Sequence, residues 1–195
     1  MRLSDQDIEL WIKDKKLIIE PVPDKSLIHG VTVDVRLGNE FYTFCNNFNE
    51  SIDLSKSRDE ISKVLKRMVH QKEVISNTNV FLLKPNMFVL AITVEKITIP
   101  NNLVGWLDGR SSLARLGLMI HATSHRIDPG WEGNIVLEFF NSSNITLSLR
   151  PGMLIAALSF EILSSVAIRP YNVRKGAKYC KQEKVIISRI DQDLI

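Results

Sequence analysis

The stretch MFVLAITVEKITIP (87–100) decides the fold. It is dense in β-branched and aromatic residues, and the turn signals Pro85-Asn86 and Pro100-Asn101 bound it, so it reads as a strand. The same composition recurs in VTVDVRL (31–37) and NVFLLKP (79–85), and Pro151-Gly152 marks a further turn. Strands therefore dominate from residue 79 to 165. Short helices decorate them. Ser4 with Asp7 forms a helix-start signal, and Ile8, Trp11 and Ile12 share one face, which predicts a helix over roughly Asp5–Lys15. A second helix is expected near Arg58–Val69, where Ile61, Val64, Leu65 and Met68 recur at helical spacing. Its Lys63, Lys66 and Arg67 read either as a phosphate patch or as a solvated face. The expectation is a mainly β, mostly antiparallel sandwich or barrel with a few peripheral helices.

Working outward, a chain of 195 residues with 45% hydrophobic residues suits one domain, here 1–195, with a sizeable core. A net charge of +3 with 24% charged residues argues against long disordered segments and against a nucleic-acid binder built on a basic field. Cys45 and Cys180 cannot form a disulfide framework, which suits a reducing cytoplasm. MRLSDQDIELWIKDKK at the N-terminus carries acids where a signal peptide needs an apolar core, and no apolar run is long enough to span a bilayer. The segment 170–195 begins PYNVRKGAKYCKQEK, polar and basic with little periodicity. It reads as disordered, as a lid that orders on a ligand, or as a structural arm.

Two stretches carry chemistry. In GWLDGRSSLARLGL (105–118) a strand runs into Gly109, then Arg110-Ser111-Ser112, then a helical SLARLG closed by Gly117. Hydroxyl residues and free N–H groups at a helix start form an anion site, and Arg110 and Arg115 add donors suited to phosphate. The plainer alternative is a capped helix with two surface arginines.

In HATSHRIDPGWEGNIVLEFFN (121–141), Asp128-Pro129-Gly130 makes a turn beside Trp131. Beyond it Ile135, Leu137 and Phe139 fall on one face, and Val136, Glu138 and Phe140 on the other. Glu138 is then a carboxylate among apolar residues in mid-strand, where Glu is depleted. Burial of such a group favours its protonated form and suits it to proton shuttling near neutral pH. An ion pair with an Arg, or an outward-facing edge position, are the alternatives. The H-x-E and P-C-x-x-C ligands of zinc deaminases are missing. None of His29, His70, His121 and His125 begins H-x-E, and the strand-and-turn setting of His121 and His125 denies them a shared helical face.

GRSSLARLGL, HRIDPGW, LEFFNS and RPGM, in this order and spacing, resemble the dCTP deaminase family, a relative of the trimeric dUTPases, over essentially the whole chain. The resemblance implies a distorted β-barrel or jelly roll of the dUTPase-like type, assembled as a homotrimer with active sites at subunit interfaces. It implies zinc-free hydrolysis of dCTP to dUTP and ammonia, supplying dUTP for dUMP and dTMP synthesis. Magnesium would be carried by the triphosphate, not by protein ligands, and dTTP would act as feedback inhibitor. Glu138 would be the general acid and base. Ser111 and the backbone at Ser124 would hold the attacking water, with Arg115 fixing charge close by. Arg110, Ser111, Ser112 and Arg126 would bind phosphates, joined by Tyr171, Lys178 and Gln182 from a lid over 170–195. Leu113 and Ala114 would complete the substrate-binding segment 110–115. Backbone at Val136 and Leu137 would read the cytosine edge, Asp128 would take the sugar hydroxyl, and Trp131 would pack against the ribose.

Members that also hydrolyse the triphosphate tend to read GKSSLGRLGL with a GFIDPGF turn. Arg110, Ala114, His125-Arg126 and Trp131 stand at those places here, which resembles the single-function members. A bifunctional deaminase–dUTPase, a dUTPase, or a silent nucleotide sensor are the rival readings; the presence of Glu138 and Ser111 disfavours the sensor.

Overall fold

The decisive stretch forms a strand that is buried on both faces over Val89–Thr93, which is why VLAI (89–92) is an apolar run instead of an alternation. A computed structural model describes residues 1–45 and 48–193. In chain order its elements are α1 (Asp5–Lys13), β1 (Ile18–Glu20), β2 (Ile28–His29), β3 (Thr32–Phe44), α2 (Arg58–Met68), β4 (Val69–Val74), β5 (Phe81–Leu83) and β6 (Phe88–Thr98). There follow β7 (Leu103–Gly109), α3 (Ser111–Ala114), β8 (Leu118–Met119), β9 (Arg126–Ile127), β10 (Glu132–Asn141), β11 (Leu147–Leu149) and β12 (Leu154–Ile162).

The main sheet runs β8-β10-β6-β3-β12-β7-β9, with β1 added on β6 and with β2 and β4 on β3. A separate pair joins β11 to β5. Neighbours are antiparallel, as expected. Register shifts between Leu37 and Phe41 of β3 and between Leu154 and Ala156 of β12 let the long strands curl into a half-barrel around the core. Val89, Ala91 and Ile97 of β6 face that core beside Phe41, Leu137, Phe139 and Phe160. Leu90 and Ile92, on the other face of β6, are buried beneath Val185 and Ile187 of the C-terminal segment.

The helices follow their local signals. Ser4 and Asp7 form a reciprocal capping box at α1, and Ser57 and Glu60 do so at α2. α1 ends two residues short of the expected Lys15, because Asp14 caps it and Lys15 adopts a positive φ of 55°. In α2, Ile61 and Leu65 are buried, while Lys63, Lys66 and Arg67 form the solvated face. Among the described residues no helix is long and apolar enough to cross a membrane.

The C-terminal segment is not left as a loose basic stretch. Its described part, to residue 193, is docked along its own chain. Lys181 N–H donates to the Glu132 carbonyl at 2.7 Å, Asn134 N–H to the Gln182 carbonyl at 2.9 Å, and Val185 N–H to Glu40 Oε2 at 3.3 Å. Tyr171, Gln182 and Val185 are buried. The segment packs through strand-edge hydrogen bonds and isolated apolar anchors, which leave no period to read.

Candidate active site

A cleft of about 920 Å³ opens where the outer face of β10, the segment 123–128 and the C-terminal segment meet. Strand alternation supplies its floor. Ile135, Leu137 and Phe139 point into the core, which leaves Val136 and Glu138 lining the cleft. Glu138 is half-buried, a correction to the fully buried carboxylate expected in mid-strand. Its Oε2 accepts a hydrogen bond from the Ala122 N–H at 2.9 Å, and its own N–H donates to the Ile120 carbonyl at 2.9 Å. It makes no ion pair among the described residues. Nor is it an edge residue there, since β6 flanks one side and Ile120 the other. The carboxylate is fixed by a backbone donor and opens onto the cleft.

The same alternation separates the two residues expected to read a base through their backbones. The N–H groups of Asn134 and Glu138 bond away from β6, to Gln182 and Ile120, whereas that of Ile135 bonds toward β6, to Thr93 Oγ1 at 3.0 Å. Val136 therefore directs its N–H and C=O to the side away from β6, where the cleft lies. Leu137 directs its own toward β6, opposite Ala91. The expectation for Leu137 is corrected on this ground.

The Asp128-Pro129-Gly130 turn is where the C-terminal segment crosses. Gly130 has φ +78°, and a Cβ there would lie 2.7 Å from Asn172 Oδ1 and 2.8 Å from Pro170 Cβ. Only glycine allows that approach. Asp128 accepts from Arg126 Nε at 2.9 Å and pairs with Arg174 Nη1 at 3.4 Å. Trp131 donates from Nε1 to the Gly133 carbonyl at 3.1 Å, and its ring lies 5.4 Å from that of Tyr171. Burial pushes the Tyr171 phenol above its ordinary pKa, partly opposed by the hydrogen bond it accepts from the Tyr179 N–H at 3.0 Å. Tyr171 thus stays a protonated donor. Gln182 donates to the Asn134 carbonyl at 2.9 Å while its Oε1 is buried without a partner among the described residues. Lys178 Nζ pairs with Asp193.

The structure thus gathers Ser124, Arg126, Asp128, Trp131, Val136, Glu138, Tyr171, Lys178 and Gln182 around one cleft. It does not bring Arg110, Ser111, Ser112, Leu113, Ala114 and Arg115 there. The expected helical SLARLG is a single turn, α3, with Arg110 at its N-cap and no side-chain cap, so the anion site expected at a helix start has only one turn behind it. Ser111, Ser112 and Arg115 are exposed, and only Leu113 packs on the core. Gly117, with φ +86°, closes the turn as expected.

Sequence reasoning missed Arg174, whose guanidinium carbon lies 4.9 Å from the Tyr171 ring centre. Only the general basicity of the segment pointed to it. It also missed the aromatic column Trp106–His125–His121, with successive ring centres 5.3 Å apart. Trp106 Nε1 and His121 Nδ1 are buried without a partner among the described residues.

The sequence profile described as dCTP deaminase-like matches residues 2–163. A protein named dCTP deaminase from Buchnera aphidicola subsp. Baizongia pistaciae is 79% identical over 193 residues, covering 99% of this chain and 100% of that one. One of the same name from Pectobacterium atrosepticum is 55% identical over 193 residues, with 99% and 100% coverage. The crystal structure of 2'-deoxycytidine 5'-triphosphate deaminase from Agrobacterium tumefaciens superposes with a TM-score of 0.63 at 21% identity, covering 83% of this chain and 48% of that one. This chain spans about half the length of that solved protein, and the likeness is one of fold.

Proposed function

The chain belongs to the dCTP deaminase-like family, and we propose that it hydrolyses dCTP to dUTP and ammonia. That product would feed dUMP and dTMP synthesis in the cytoplasm. The observation that carries the reading is the Glu138 carboxylate, held by the Ala122 N–H and opening onto a cleft lined by Arg126, Asp128, Tyr171 and Lys178.

In this reading Glu138 takes a proton from water as its oxygen bonds to C4 of the cytosine. It passes that proton to the ring nitrogen N3, and then assists transfer of a proton to the departing amino group. Water supplies the new carbonyl oxygen and ammonia leaves, so the atoms balance. Val136 backbone presents both a donor and an acceptor to the base edge. Trp131 and Asp128 hold the sugar, and Arg126, Tyr171, Lys178 and Gln182 hold the phosphates. General acid–base catalysis contributes roughly 10²–10⁴-fold, and the remainder comes from positioning and fixed dipoles.

Ser111, Arg115 and the other residues of 110–115 reach such a site from a second copy of the chain. The exposure of Ser111, Ser112, Ala114 and Arg115, and the absence of 110–115 from the cleft, support a homotrimer with shared sites. Among the described residues no three His, Cys, Asp or Glu side chains come together as a ligand set, and Arg126, Arg174 and Lys178 bring cationic donors to the cleft. That set suits magnesium carried on the triphosphate's own oxygens, and chemistry without zinc. dTTP, sharing sugar and triphosphate, fits the same contacts as an inhibitor.

Incubation with dCTP and magnesium, with products separated by chromatography, tests the proposal. dUTP and ammonia in equal amounts support it. dUMP with pyrophosphate favours the bifunctional or dUTPase readings, and unchanged dCTP removes the deaminase reading.

A further inference from the structure

Arg110 lies outside the cleft, yet its guanidinium does not stand free. Nη1 donates to the Leu154 carbonyl at 3.3 Å, and Nη2 lies 3.3 Å from Asp34 Oδ2. The sheet order explains the reach. Asp34 of β3 and Asp108 of β7 are both register partners of Ala157 on the intervening β12. The Arg110 side chain therefore turns back across β12, bonding to it on the way, and ends on β3.

Asp34 is only 7% exposed and sits in the otherwise apolar run VTVDV. A carboxylate so placed requires a cation, because an unpaired buried charge is strongly destabilising. The half-open position of His29, whose Nε2 is 4.0 Å from the same oxygen, leaves Arg110 as the nearer partner. A guanidinium carries five N–H donors, and these contacts engage two of its nitrogens. Donors remain for a ligand.

We propose that Asp34 is a positioning residue for triphosphate binding: it fixes the Arg110 side chain so that its uncommitted N–H groups meet a phosphate oxygen. This rests on the reading of Arg110 as a phosphate ligand given above. A long side chain already immobilised by Asp34 and Leu154 loses less freedom when substrate arrives. The contact is made to a group remote from the reacting carbon, so it strengthens ground state and transition state alike.

The test is a double-mutant cycle on the full chain, read by steady-state kinetics with dCTP. Asp34→Asn removes the charge and keeps the shape. It is expected to raise KM about tenfold with kcat little changed. In an Arg110→Gln background the same substitution is expected to raise KM no further. An unchanged KM in the parent background, or an equal increase in both, overturns the proposal. If Asp34→Asn is not recovered folded, Asp34→Glu serves, since it keeps the charge but displaces it, and the same non-additivity is required. Failure of the unsubstituted chain to turn over dCTP would count against the deaminase reading itself. The cycle read by calorimetric dCTP binding would then still decide the role of Asp34.

Discussion

The Glu138 carboxylate accepts a hydrogen bond from the backbone N–H of Ala122 at 2.9 Å, and the same segment is joined to β10 again where the Glu138 N–H meets the Ile120 carbonyl. The two bonds orient the carboxylate from the segment 120–122 while its remaining oxygen is available to the cleft. Glu138→Gln keeps that acceptor and removes the base. Deamination is expected to fall at least ~10³-fold, in the upper range for loss of a general base, while dCTP binding and assembly persist. Retention of a tenth of the parent turnover contradicts the assignment.

A site shared between copies makes a second prediction. Ser111→Ala and Glu138→Gln variants, each inactive alone, are expected to regain activity when co-assembled, because mixed oligomers contain some sites with both native residues. Activity that stays at the level of the separate variants argues that Ser111 and Glu138 do not meet across subunits.

The docked C-terminal segment makes a third. Val185 packs with Leu90 and Ile92 on the outer face of β6, a contact of roughly 1.5–3 kcal/mol for a buried aliphatic side chain. Val185→Asp removes that contact and adds a charge that resists burial. Trypsin is expected to cut the segment faster at Arg174, Lys175 and Lys178, KM for dCTP is expected to rise about tenfold or more, and dCTP is expected to slow the cutting. A cleavage rate indifferent both to the substitution and to nucleotide rules out a lid.

How far the sequence foretold this arrangement differs from residue to residue. Strand alternation placed Glu138 opposite Leu137 and Phe139, and the capping signal at Ser4 together with the helical spacing of Ile61, Val64, Leu65 and Met68 located both long helices, because these features rest on neighbours a few residues apart. The packing of 170–193 was illegible, since Tyr171 and Val185 are buried by segments distant in sequence: Trp131 in one case, Leu90 and Ile92 in the other. The half-exposure of Glu138 is illegible for a related reason. Apolar flanks along a strand report the composition of that strand, not the cleft that other segments leave open above it. Nothing in VTVDV or GRSS announces that Asp34 and Arg110 meet across β12.

Metal chemistry makes a fourth prediction. Cys45 and Cys180 are both free thiols, and the described residues offer no cluster of metal-binding side chains. A chelator selective for zinc over magnesium is expected to leave turnover unchanged. Stoichiometric zinc that departs together with activity contradicts this.

In the proposed reaction water attacks the base and not a phosphorus atom. Turnover of dCTP in water enriched in heavy oxygen, followed by mass spectrometry of the products, tests it most directly. One heavy oxygen is expected in the uracil ring of dUTP and none in its phosphates. Label in dUMP phosphate or pyrophosphate without label in the base would contradict it.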